Sequence, residues 1–259
     1  MMIIKRLVLL SSLTASQFTS PSAALANDET DIDFIINTIG YFLYHEAGHA
    51  LVDQFDLPVV GQEEDAVDAF AAIQILDLYE NDRDILLDTA EAMLLMHEDV
   101  LENDDLDYFD EHDLDIQRAY RIICYGYGTD QKRYEEAADW VEMPQERRET
   151  CTDDTDLSWA SWDTLLEGSR LKEGERQQVI SVAFLPTSQF QLERATLEES
   201  GILPEVSQLL GETFDWPNPM TIDAKECGEP NAYYDPDTVS ITICYEMLSE
   251  LTELDALRQ

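Results

Sequence analysis

His45, Glu46 and His49 stand in the run His-Glu-Ala-Gly-His, an H-E-x-x-H arrangement. On an α-helix, histidines four residues apart share one face and can hold one Zn²⁺ between them, with the carboxylate after the first histidine in reach of a water on the metal. Two imidazoles, one further protein ligand and a water form the open coordination that catalysis requires. A neighbouring carboxylate can then take the water's proton and deliver it to a leaving amine. The chemistry implied is hydrolysis of a peptide or protein substrate through a metal-activated water, with one Zn²⁺ per chain and Glu46 as general base. The plain alternative is a helix surface carrying two unrelated histidines, but the chain has only four, which makes a chance match rare. Another alternative, a scaffold that holds metal without turnover, leaves Glu46 unexplained, because structural zinc sites usually close the fourth position.

The third ligand must come from further along the chain. Val52 and Phe55 occupy the positions where a metzincin extension needs Gly and His, which excludes that class. A gluzincin arrangement places a Glu on a later helix. Glu64 fits it, because Asp68 lies one turn further on the same face and can accept the free N–H of a ligating histidine, fixing its tautomer. Glu63 has Val67 at the equivalent step and is the weaker candidate. The competing reading makes Glu63, Glu64, Asp65 and Asp68 an acidic first turn complementing the helix dipole. A donor is also needed for the oxyanion of the tetrahedral intermediate. His112, at a helix start, is the first candidate, with Tyr120 and Tyr233 in reserve, although Asp113 and Asp115 beside it could make a simple cap. His97, beside the apolar run Met93–Met96, reads as a core or boundary residue.

These groups need elements to position them. Asp31 to Phe55 reads as one long helix, since Ile32, Ile36, Ile39, Leu43, Ala47 and Ala50 recur at three- and four-residue steps. Those apolar positions lie nearly opposite His45 and His49, which predicts a helix packed on one side and presenting histidines on the other. Leu57-Pro58 and Gly61 break it, and a second helix is expected over 63–78. Amphipathic stretches follow at 85–101, 114–127, 131–141 and 157–166. Strand-like runs then appear at 178–184 and 239–244, with a helix over 192–210 between them and a turn with an edge strand over 226–237. The fold class expected is α+β: one mainly helical domain over 27–259 with a small C-terminal β-sheet.

Lys5-Arg6, a short apolar run from Leu7 and Ala24-Leu25-Ala26 read as a signal peptide over 1–26, with no membrane span after its removal. The product is expected to be periplasmic or extracellular and bacterial. The formal charge of −41 becomes −43 without Lys5 and Arg6, a surface that repels nucleic acid and anionic lipid. Such acidity is a solubility device or, more sharply, a means of recruiting Ca²⁺ or cationic substrates. The four cysteines are an even number in an exported chain and predict two disulfides. Nearest-neighbour pairing gives Cys124–Cys151 and Cys227–Cys244, one of three possible connectivities.

The run from His45-Glu46-x-Gly48-His49-Ala50-Leu51 through Leu57-Pro58-x-x-Gly61-x-Glu63-Glu64-Asp65, with Cys227-Gly228-x-x-Asn231-Ala232-Tyr233-Tyr234-Asp235-Pro236 and Ile241-Thr242-Ile243-Cys244-Tyr245-Glu246, resembles an uncharacterised bacterial family of metallopeptidase type. The Glu64-x-x-x-Asp68 pair is similar to that of thermolysin-like gluzincins. In those enzymes an Asn-Ala-aromatic edge strand that binds the substrate backbone precedes the zinc helix. Here Asn231-Ala232-Tyr233 comes near the C-terminus. The resemblance therefore implies a thermolysin-like core whose strands have moved behind its helices, as in a circular permutation, with Asn231 and Ala232 across a cleft from His45. A disulfide-stapled turn with no substrate role is the competing reading of that block.

Overall fold

A computed structural model describes residues 30–79, 84–103, 106–172 and 180–258. The expected signal peptide and the first two residues of the 178–184 run lie outside these residues. Asp31 caps the first helix, α1 (Ile32–Gln54), accepting a hydrogen bond from the Phe34 N–H at 3.2 Å. The helix stops where Asp56 enters the left-handed region (φ 50°) ahead of Leu57-Pro58. The second helix, α2 (Glu63–Leu78), has the predicted bounds. Then come α3 (Asp84–Glu102), α4 (Asp115–Thr129), α5 (Glu135–Trp140) and α6 (Gln145–Leu166). The expected helix over 131–141 is shorter, and the one over 157–166 extends three turns further back. That added stretch is polar and has little apolar periodicity to announce it.

The rest of the chain builds the sheet. Strand β1 (Ser181–Phe184) leads into α7 (Gln191–Ser200) and α8 (Ile202–Thr213). One helix was expected here, but Gly201 adopts φ 73° and splits it in two, a conformation that glycine takes without steric cost. Strands β2 (Thr221–Lys225), β3 (Ala232–Asp235) and β4 (Ser240–Cys244) complete a sheet of order β1-β2-β4-β3, and α9 (Tyr245–Asp255) follows. β1, β2 and β4 run parallel, while β3 pairs antiparallel with β4 as an edge strand. The fold is α+β and mainly helical, with a small four-stranded mixed sheet near the C-terminus. No described helix is long and apolar enough to cross a membrane.

One expectation about α1 is corrected. Residues 43–48 are buried without interruption, because α1 is enclosed by α2, α3, α8, α9, β3 and β4 rather than lying on one side of a core. The histidine face is covered by α2 and the edge of the sheet. Arg258 fastens the start of α1, bonding Glu91, Asp31 and Asp255 at 3.0–3.2 Å with its guanidinium 4.2 Å from the centre of the Phe34 ring. The disulfides are Cys124–Cys151, tying α4 to α6, and Cys227–Cys244, tying the start of the β3 hairpin to the end of β4.

Candidate metal centre

Gly48 decides how closely α1 and α2 approach. A Cβ placed on it would lie 2.8 Å from the Val67 Cβ and 2.9 Å from its Cγ1, nearer than such atoms pack. With no side chain there, the first turn of α2 comes against the histidine face of α1. The Glu64 Oε2 then stands 3.1 Å from His45 Nε2 and 3.3 Å from His49 Nε2. His112, from the loop before α4, brings its Nε2 to 2.9 Å from the same oxygen. Three imidazole nitrogens and a carboxylate therefore converge on one point, although they come from sequence positions up to 67 apart.

The outward-facing nitrogens are also held. His45 Nδ1 is 2.8 Å from Asp68 Oδ1, the partner expected from the sequence. Asp68 in turn receives Arg118 Nε on Oδ2 and Nη2 on Oδ1, both at 2.8 Å, and the Tyr41 hydroxyl at 3.1 Å. His49 Nδ1 is 2.8 Å from Glu63 Oε1, which gives Glu63 an orienting contact rather than a place among the converging atoms. With each Nδ1 engaged by a carboxylate, each Nε2 is aimed at the centre, the arrangement that ligating histidines show. The donor set of imidazole nitrogens and a carboxylate oxygen suits a divalent ion, and His45, Glu64 and His112 have ligand atoms within 4.8 Å of one another.

The titratable groups of the site perturb one another strongly. Burial pulls the His45 pKa down, but the hydrogen bonds to Asp68 and Glu64 outweigh it and leave it raised. For His49 burial is likewise overcome by Glu64 and Glu63, and its pKa rises to about 9. Burial pushes the Glu64 carboxyl up, yet its bonds to the three histidines hold it far below the carboxylate range. Asp68 is held far below that range by Arg118 and His45 against the same burial cost. Glu46 behaves oppositely. It is 5% exposed, and burial raises its pKa despite the opposing pull of His45 and His49. A carboxyl raised in this way binds a proton more readily than an ordinary one.

His45, Glu46, His49, Glu64 and His112 line a cleft of about 630 Å³ together with Asn231, Ala232, Tyr233 and Tyr234. Asn231 and Ala232 thus border the same cleft as His45. The Cys244 N–H donates to the Asn231 carbonyl at 3.0 Å. Because an antiparallel strand alternates its bonding side, Ala232 and Tyr234 direct their backbone groups away from β4. Tyr120 lies elsewhere, in a groove with Arg121 and Met143. His97 is half-buried beside a smaller cavity behind His112. Arg118 and Tyr41 were not foreseen as parts of the site. A bonding role for Arg118 was open to sequence reading, since a lone Arg on the apolar face of α4 needs a buried acid.

Gly48→Ala should weaken the site specifically. The added methyl gains up to about 1 kcal/mol of helix propensity, but overpacking against Val67 costs about 1–3 kcal/mol, and the strain falls on the turn carrying Glu64. The expected result is a small drop in melting temperature with at least a tenfold loss of metal affinity by chelator competition, taking the tenfold from the usual effect of disturbed ligand support. Unchanged affinity would mean that Gly48 does not set the spacing.

No match was found among the curated proteins or among the solved structures. A family model described as putative metallopeptidase matches residues 8–166 and 185–258, ranges that include the residues lining the cleft. The chain belongs to that putative metallopeptidase family.

Proposed function

We propose that this protein is an exported, zinc-dependent peptidase of gluzincin type, with His45, His49 and Glu64 as metal ligands and one Zn²⁺ per chain. The observation carrying this reading is the convergence of those side chains on one point beside a buried, proton-accepting Glu46. A zinc ion held there would supply Lewis acidity, polarising the scissile carbonyl and acidifying water. The protein's own residues do the rest. The outward backbone groups of Ala232 receive the substrate as an added strand along β3, with Asn231 and Tyr233 alongside. Glu46 takes a proton from the attacking water and returns it to the leaving amine. His112, its Nδ1 2.9 Å from Asp110 Oδ1, presents Nε2 to the developing oxyanion, and its pKa is raised, chiefly by Glu64, which favours the donating form. The edge strand following the helices supports a thermolysin-like core in permuted order. The two disulfides favour an oxidising compartment, in keeping with a signal peptide over 1–26.

A second reading has one observation behind it. His112 Nε2 is closer to Glu64 than either H-E-x-x-H histidine, so it could close the fourth position and leave a non-catalytic metal holder. Purified protein is expected to contain one zinc per chain, to cleave unfolded protein substrates, to stop when zinc is chelated and to recover on its return. Zinc-loaded protein that cleaves no member of a broad peptide library would overturn the peptidase reading.

A further inference from the structure

The cleft has a second end, beyond the residues that would hold zinc. Past His49 it is lined by Val52 and Asp53 from the last turn of α1, by Asp56 and Leu57 just after that helix ends, and by Tyr234 and Pro236. Among the described residues, no lysine or arginine lines the cleft. Asp53 is fixed in place there. Tyr234 donates its hydroxyl to Asp53 Oδ2 at 2.7 Å, and Gln54 Nε2 donates to the same oxygen at 2.6 Å and to the Tyr234 hydroxyl at 3.0 Å. Gln54 is itself anchored by Asn218 Nδ2 on its Oε1 at 2.8 Å. Both bonds to Asp53 fall on one oxygen, and among the described residues Oδ1 has no hydrogen-bond partner. The same end of the cleft also has apolar lining, from Val52, Leu57 and Tyr234.

A Lys or Arg side chain fits that combination: its methylene stem lies on apolar and aromatic surface while its charged head meets a carboxylate oxygen. We propose that Asp53, flanked by Val52, Leu57 and Tyr234, is a subsite for a basic side chain of the substrate, so that the enzyme prefers cationic peptides. The inference rests on the peptidase reading for its consequence, though not for the binding itself. Asp53 is four residues past His49, about 6 Å along the helix. An extended peptide advances about 3.3 Å per residue, so the basic residue stands about two positions from the scissile bond. Asp56, just past the end of α1, adds negative potential to the same cleft.

The experiment compares peptides of one scaffold in which Arg, norleucine or Glu is moved through three positions either side of the cleaved bond. With zinc-loaded protein, Arg over norleucine should raise kcat/KM by at least about tenfold, the size of one charge-assisted hydrogen bond, at one position only and mainly through KM. In Asp53→Asn that ratio should fall towards one, with the melting temperature checked against the parent. An equal gain at every position that disappears at high salt would reflect the chain's overall charge and overturn the subsite, as would no gain at all. Binding of the same peptides, fluorescently labelled, to Glu46→Gln protein gives the answer independently of turnover. A single-position Arg preference lost in the additional Asp53→Asn change upholds the subsite even if nothing is cleaved, and equal binding of all three peptides sinks it.

Discussion

Glu46→Gln should leave a protein that binds one zinc per chain and folds as before, yet cleaves peptide about 10²–10⁴-fold more slowly, the range for loss of a general base. Each part of that result has a separate cause. Gln is nearly isosteric with Glu, and the change removes a buried carboxyl whose charged form burial disfavours, so stability is held or raised. The side chain is not among the converging ligand atoms, so zinc content is retained. What is lost is the ability to accept a proton from water and return it to the amine nitrogen. Single-turnover kinetics with elemental analysis of the same sample checks both halves. Full activity in the variant would remove Glu46 from the mechanism. Loss of zinc along with activity would make it a contributor to the metal site instead.

Asp68→Asn should have the second large effect, on folding and metal together. The carboxylate accepts Arg118 twice, His45 Nδ1 and the Tyr41 hydroxyl, and an amide can present only one acceptor oxygen to those four donors. Arg118 is buried, and leaving such a cation unpaired typically costs about 3–5 kcal/mol. His45 meanwhile loses the charged acceptor that fixes its tautomer, which typically weakens metal binding about 10–100-fold. Chemical denaturation of metal-free protein and zinc affinity by chelator competition measure the two effects separately. A variant with normal zinc affinity but lowered stability would show that Asp68 serves the α2–α4 contact alone. The reverse pattern would confine its role to His45.

The pairing of Asp68 with Arg118 also accounts for the placement of His112. Arg118 locks α4 onto α2, and Arg121 bonds Asp65 on α2 as well as Asp113, one residue after His112. The loop holding His112 is therefore tied to the helix that carries Glu64 by two arginines one turn apart. A mobile loop could not hold an Nε2 within 2.9 Å of the ligand cluster without some such anchor.

Local rules were enough to read much of this in the chain. The bounds of α1 and α2, the shared face of His45 and His49, the Glu64 and Asp68 spacing and the strand of Ser240–Cys244 all follow from periodicity, capping and turn chemistry, which act over a few residues. Both nearest-neighbour disulfides form as well, because each links elements that pack side by side. Other features depended on the tertiary structure. The central strand β2 is short and partly polar, and only its pairing with β1 and β4 makes it a strand. The one-sided view of α1 failed because burial depends on how many neighbours surround a helix, which its own periodicity does not encode. Glu63 as the partner of His49, Arg118 bonded to Asp68 and β3 lining the same cleft as the histidines bring together distant parts of the chain. Side-chain spacing along one helix is a local matter of 3.6 residues per turn, whereas a site assembled from α1, α2, the loop before α4 and β3 is fixed only when the whole core closes around Gly48.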